Sequence, residues 1–196
     1  MATVISTHTS LLARLAEGRD QTAWREFSDR YGELIRGFAR RRGLQPADCD
    51  DVAQEVLLSL SKAMRGFEYD PGKGKFRAYL KATTLRAISR TMCQKRGGAD
   101  LDTIEKAARA AERDDTAEEA WEIEWRAHHA RRAMRVVEAE FNRTDLRAFQ
   151  RYAVEGLGAQ ATAAALGLNV DQVYQAKSRI MRRLAQLVEL QVEDEG

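Results

Sequence analysis

From Gly158 to Leu184 the chain sets small, apolar and polar residues at the intervals that a helix-turn-helix needs. Counting Ala159 as the first position, Ala163 is the fifth, Gly167 the ninth and Val173 the fifteenth. The alanine lets a second helix cross close over the first, the glycine supplies a left-handed turn residue, and the valine points inward from the second helix. Leu166, Leu168 and Val170 close a small core around that turn. The second helix of such a pair enters the major groove of DNA. Here Asp171, Gln172, Gln175 and Arg179 are placed to reach base edges, Lys177 and Ser178 lie beside them, and Arg182 and Arg183 suit phosphates. The chemistry expected of this end of the chain is recognition of duplex DNA.

A second group of residues suits single strands. From Pro71 to Arg96 there are eight bases and no acid (Lys73, Lys75, Arg77, Lys81, Arg86, Arg90, Lys95, Arg96), with Phe67, Tyr69, Phe76 and Tyr79 interleaved or just before. Opening a duplex costs stacking energy. Aromatic faces recover about 1 to 3 kcal/mol per base from the released strand, and cations hold its backbone. The competing reading is that Phe67, Tyr69 and Phe76 cover a domain core, which their residue type favours equally. A third group, Asp51, Gln54 and Glu55, crowds the polar side of a helix whose other side is apolar, and so forms a candidate protein-docking face.

These groups need helices to position them. Trp24, Phe27, Tyr31, Leu34, Ile35 and Phe38 recur at three- and four-residue spacing, which predicts a helix from about Asp20 to Arg42, capped by Asp20 and ended by Gly43. A shorter helix over Ser10 to Glu17 precedes it. The next helix is expected to begin at Asp48, with Asp50 and Asp51 in its first turn, where negative charge complements the dipole. Its buried stripe is Val52, Val56, Leu60 and Met64. Gly66 to Lys75 reads as a loop, and a basic helix follows from about Phe76 to Lys95, closed by Gly97 and Gly98. Thr116 with Glu119 resembles a capping box that would start a helix carrying Trp121, Trp125, Met134, Val137 and Phe141. A short helix with Leu146, Phe149 and Tyr152 leads into the helix-turn-helix.

Between Gly97 and Trp125 the charge reverses, with ten acids against three bases. That stretch shows no consistent apolar stripe and reads as a partly helical linker. No segment alternates like a strand. The expected fold is therefore all-α, with two small helical domains joined by an acidic linker: residues 1–97, 98–119 and 120–196.

With 196 residues, 32% charged and only two prolines, the composition is that of a helical protein with two modest cores. Cys49 and Cys93 are far apart and lack the spacing of a zinc site or disulfide framework. No apolar run approaches the roughly 20 residues that span a bilayer, and no signal peptide is visible. A soluble, cytoplasmic protein without membrane insertion is expected. Asp48, Asp50, Asp51 and Glu55 mimic a metal cluster, but helix capping accounts for the first three. Glu124 and His128 lie one turn apart without a second ligand pair, so a solvated helix face is the expectation for them and no metal or cofactor is assigned. Arg40, Arg41 and Arg42 suit equally a helix-dipole partner and a phosphate site.

Taken together, Asp50-Asp51-Val52-Ala53-Gln54-Glu55-Val56, Phe76-Arg77-Ala78-Tyr79-Leu80, and Val173 to Arg179 followed by Arg182-Arg183-Leu184 resemble, in order and spacing, the extracytoplasmic-function sigma factors of the sigma-70 family. The resemblance covers nearly the whole chain. It implies region 2 in residues 1–97 and region 4 in 120–196. It implies as partners core RNA polymerase, docked through Asp51, Gln54 and Glu55, and promoter DNA, and it leaves room for an anti-sigma protein. By the same resemblance Phe67, Tyr69, Lys73, Lys75, Phe76, Arg77, Tyr79, Lys81, Arg86 and Arg90 would serve the minus-ten element. Asp171, Gln172, Gln175, Lys177, Ser178, Arg179, Arg182 and Arg183 would serve the minus-thirty-five element. The acidic linker would run through the polymerase cleft. Tyr79 stands where tryptophan is common, and Arg86 and Arg90 where many relatives have asparagine and aspartate.

The implied function is a non-enzymatic initiation subunit. A stand-alone helix-turn-helix regulator is the alternative, and it would leave the Asp51-Gln54-Glu55 face and the aromatic-basic segment without a role. A small hydrolase or nucleotide enzyme would need a Gly-rich phosphate loop, nucleophile elbow or metal-ligand set, and the sequence has none.

Overall fold

The computed structural model describes residues 8–17, 20–64 and 76–195. Among them are nine α-helices and no strand: α1 (His8–Ala16), α2 (Gln21–Arg41), α3 (Pro46–Ala63), α4 (Phe76–Lys95), α5 (Leu101–Glu112), α6 (Asp115–Glu140), α7 (Arg143–Phe149), α8 (Ala159–Leu166) and α9 (Val170–Glu195). The chain divides into two compact units. One runs up to His128 and includes the last residues from Asp194, and the other is His129–Glu193.

In the first unit α2 starts where its cap allows. The Asp20 carboxylate accepts the backbone N–H groups of Thr22 and Ala23 at 2.9 and 3.0 Å, which satisfies donors that the first helical turn leaves open. The Thr22 hydroxyl and Arg14 add hydrogen bonds that hold this carboxyl well below the usual carboxylate range. The predicted stripe of α2 is the core: Phe27, Tyr31, Leu34, Ile35 and Phe38 are fully buried with Val52, Val56 and Leu60 of α3, Met64 just past its end, and Leu80, Leu85 and Ile88 of α4. Each such side chain gains about 1.5 to 3 kcal/mol on leaving water. Helix α3 begins two residues before the expected Asp48, because Pro46 suits the first helical position and Asp48 instead reaches back to accept the Gln45 N–H at 3.3 Å.

The acidic stretch expected as linker carries α5 and the start of α6. Asp100 caps α5 by accepting the Thr103 N–H at 2.8 Å, and α5 packs along α4 with Ala108 as its buried residue. The cap of α6 is Asp114, whose carboxylate accepts the Thr116 N–H at 2.9 Å, and not the expected Thr116–Glu119 box. Asp114 wins because it precedes the first helical residue and its short side chain folds back on the turn. Trp121 of α6 meets the edge of Phe38 with ring centroids 5.0 Å apart, and both Trp121 and Trp125 belong to the core of this unit.

Glu124 and His128 are buried, contrary to the solvated face expected for them. Arg41 donates to Glu124 at 2.8 Å, and His128 stacks on Tyr31 at 5.5 Å with ring planes 19° apart. Gly37 makes room for this: a Cβ there would lie 2.3 Å from a Glu124 oxygen.

The second unit is built around Val137 of α6, Phe149 of α7 and Ile180 of α9, with Met134, Leu146, Leu184 and Leu187 against them. Asn142 caps α7 by accepting the Asp145 N–H at 2.9 Å, and α7 leaves through one π-helical turn, Gln150–Val154. Helices α8 and α9 form the predicted helix-turn-helix. Gly167 sits at φ 67°, ψ 33°, the left-handed conformation that L side chains resist, and the Leu168 N–H closes the turn onto the Ala163 carbonyl at 2.9 Å. Thr162, Ala163, Val173 and Ala176 are buried at the crossing.

Candidate nucleic-acid interface

Phe67, Tyr69, Lys73 and Lys75 lie outside the described residues, so the minus-ten set is seen through its α4 members. Phe76 is a correction to that set. It is 3% exposed, edge-on to Phe27 at 5.9 Å and packed on Tyr31 at 5.8 Å, so its ring is a core ring with no face for a base. Tyr79, one turn nearer the helix middle, is 37% exposed.

The cations of α4 are paired with carboxylates from three neighbouring helices. Arg77 bonds Glu122 and lies over the Trp125 ring, 4.8 Å from its centroid, and Lys81 bonds Glu118. Both partners stand on α6, beside the buried tryptophans. Arg90 meets Glu55 of α3 at 2.6 Å, and Lys95 meets Asp48 at 2.5 Å. Arg86 faces Glu105 of α5 at 3.4 Å. Tyr79, Arg86, Arg90, Glu55, Ile104 and Glu105 are among the residues around a cavity of about 450 Å³ where α3, α4 and α5 meet.

Arg41 and Arg42 at the end of α2 are similarly engaged. Arg41 holds Glu124, and Arg42 meets Asp114 at 3.0 Å. The hydrogen bonds from Thr116, with Arg42 adding to them, keep the Asp114 carboxyl below its ordinary range.

On α3, Asp51 and Gln54 are exposed, whereas Glu55 is half-buried by its bond to Arg90. Leu58, one turn beyond Gln54, is 61% exposed and extends the same stripe as an apolar element. The sequence alone does not pick it out, because leucine at a helical position reads as core.

On α9 the expected readers divide by what holds them. Asp171, Gln175, Ser178 and Arg182 are exposed along the helix, and Lys177 is half-buried, its ammonium 5.3 Å from the centroid of the Tyr152 ring. Gln172 also starts the helix. Its side-chain oxygen accepts the Asn169 N–H at 2.9 Å while Asn169 accepts the Gln172 N–H at 2.8 Å, a reciprocal cap. Asn169 is legible in the sequence as a turn residue, but its capping role depends on Gln172 folding back. Arg179 reaches Asp145 of α7 at 2.9 Å. Arg183 gives two hydrogen bonds to Glu140, at 2.7 and 2.6 Å, and these hold the Glu140 carboxyl below and the guanidinium above their ordinary ranges. That geometry makes Arg183 a tie between α9 and residues 129–140 of α6.

Residues 27–97, from α2 through α4, match the family described as Sigma-70 region 2. The Asp50 to Val56 and Phe76 to Leu80 motifs both fall inside that match. Comparison with curated proteins returns no match. Among solved structures, CnrH in complex with the cytosolic domain of CnrY aligns at 20% identity, covering 93% of this chain and 97% of that one, with a TM-score of 0.36. Among the described residues no helix is long and apolar enough to cross a membrane.

Proposed function

We infer that this chain is a sigma factor of the extracytoplasmic-function group: it binds core RNA polymerase through α3 of region 2, reads the minus-thirty-five element with α9, and holds the opened minus-ten strand on α4. The region 2 match over residues 27–97 carries this reading. The helix-turn-helix of the second unit supports it by adding a duplex reader with an exposed polar row, Asp171, Gln175, Ser178 and Arg182.

The roles divide by exposure. Asp51, Gln54 and Leu58 form the polymerase-facing stripe, with Glu55 beneath them fixing α3 against α4 through Arg90. Tyr79 offers a stacking face for a displaced base, and Arg86 and Arg90 offer backbone contacts. Gln175 and Arg182 serve as base reader and phosphate ligand on α9. An anti-sigma protein is a further partner within this reading, and a reduced cytoplasm is its compartment. The chain supplies recognition and strand holding, and polymerase supplies the chemistry.

Sedimentation with purified core polymerase tests the reading. Co-migration of a stoichiometric complex is expected. Free sedimentation, together with tight binding to duplex DNA, would favour the stand-alone regulator.

A further inference from the structure

We propose that α5 is an acidic lid over a nucleotide-sized subsite between α3 and α4, with Glu105 standing on Arg86 where a backbone phosphate of single-stranded DNA would sit. This rests on the reading of α4 as the strand-holding face.

The cavity of about 450 Å³ falls within the size range of small-ligand pockets. Along its α4 wall stand Tyr79, a ring able to stack, and the pair Arg86 and Arg90, one turn apart, with Glu55 and Ser59 of α3 on another side and Ile104 and Glu105 of α5 on the third. Two of its sides belong to the core of the unit and the third does not. Helix α3 is anchored by Val52, Val56 and Leu60, and α4 by Leu80, Leu85 and Ile88. By contrast, α5 contributes Ala108 as its buried residue and leaves Leu101 74% exposed. At 12 residues it is near the length at which an isolated helix is marginal in water. With Ala108 buried and Ala111 partly buried against the core, α5 holds less apolar surface than α3 or α4 and can open without them.

The ion pairs sort in the same way. Glu118 and Glu122 are fixed beside Trp121 and Trp125, so their hold on Lys81 and Arg77 persists as long as the core does. Those two cations tie α6 to α4 rather than serving DNA. Glu55 holds Arg90 from within the frame. Glu105 alone among the four comes from α5, where Arg109 also bonds it at 3.3 Å, and its contact with Arg86 is the longest at 3.4 Å, between half-exposed side chains that water and salt screen. A phosphate offers Arg86 a stronger, bidentate partner. Strand entry then displaces Glu105 and lifts α5, and in the free chain Glu105 occupies the phosphate position on Arg86.

The test is the affinity of the full chain for a fluorescein-labelled ten-thymine single strand, measured by anisotropy at low and moderate salt. Glu105→Gln is expected to tighten binding about three- to tenfold at low salt, and Arg86→Ala added to it to remove the gain. Hydrogen exchange in the unaltered chain gives the second readout: amides of 104–112 are expected to exchange faster when the strand is added. Unchanged affinity in Glu105→Gln with unchanged or slower exchange in α5 overturns the lid, while the strand-holding face survives if Arg86→Ala weakens binding by itself. If Arg86→Ala and Tyr79→Ala both leave strand binding unaltered, the face and the lid fall together.

Discussion

Arg183 grips both carboxylate oxygens of Glu140, at 2.7 and 2.6 Å, and so fastens the recognition helix α9 to α6 within the second unit. A residue whose sequence position suggests phosphate binding thus also holds the helix in place. Arg183→Ala should lower the stability of this unit by about 0.5 to 1 kcal/mol, the range of well-formed surface pairs. The same loss should follow Glu140→Ala, and the double mutant should lose little more. Because the pair lowers the Glu140 pKa, its stabilisation is complete above the ordinary carboxylate range and fades as pH falls through the depressed value. Urea titrations of wild type and both single mutants at neutral pH and near pH 3 measure this, with the difference expected to narrow at the acid end.

Gly37 and Glu124 set a packing test in the first unit. A methyl group at position 37 would overlap the Glu124 carboxylate, which is buried and bonded to Arg41. Gly37→Ala should cost about 1 to 3 kcal/mol, the usual penalty for overpacking a close-packed site. Removing the obstacle as well, in Gly37→Ala with Glu124→Ala, should recover part of it, since the Arg41 guanidinium is partly exposed and can turn to water. Chemical denaturation of the three variants decides the matter.

Recognition by α9 separates into two signatures. Gln175→Ala should reduce discrimination between the cognate minus-thirty-five duplex and a scrambled one by about 1 to 3 kcal/mol. Arg182→Ala should weaken both duplexes alike and lower the salt slope by about one. Titrations at several salt concentrations read both effects. Equal losses on the two duplexes for Gln175→Ala would remove it from base reading.

On the proposed function, Tyr79 is the ring of α4 that promoter opening uses. Tyr79→Ala should slow open-complex formation on a duplex promoter, and a template with a pre-melted minus-ten bubble should restore much of the rate, because only the opening step needs the stacking face. Permanganate reactivity of unpaired thymines follows this directly. Normal reactivity on linear duplex DNA would assign Tyr79 to packing alone.

Local signals in the sequence carried the fold well. Gly167, Ala163 and Val173 mark the helix-turn-helix because a left-handed turn and a close crossing constrain residue type at fixed spacing. The stripe from Phe27 to Phe38 marks α2 because one helix face must leave water. Phe76 was ambiguous for a tertiary reason: it is buried by Phe27 and Tyr31, far earlier in the chain, and its neighbours in sequence are basic. Glu124 and His128 looked solvated because nothing local announces that Gly37 and Tyr31 pack over them. The stretch 98–119 lacks a stripe of large apolar residues, and what holds α5 and the start of α6 is small residues, Ala108, Ala111 and Ala117, with charge facing the bases of α4 and the two tryptophans that follow. Its acids next to a run of eight bases were a visible complementarity, but one that served partners outside the chain equally well.

The most direct measurement of the central claim is transcription by purified core polymerase on a library of genomic fragments, with and without this chain, mapping RNA 5′ ends. The account predicts discrete new start sites that appear only with the chain, share two sequence elements upstream, and vanish when Gln54 and Leu58 are both replaced by alanine while duplex binding persists. Duplex binding by the intact chain without any new start site would contradict it.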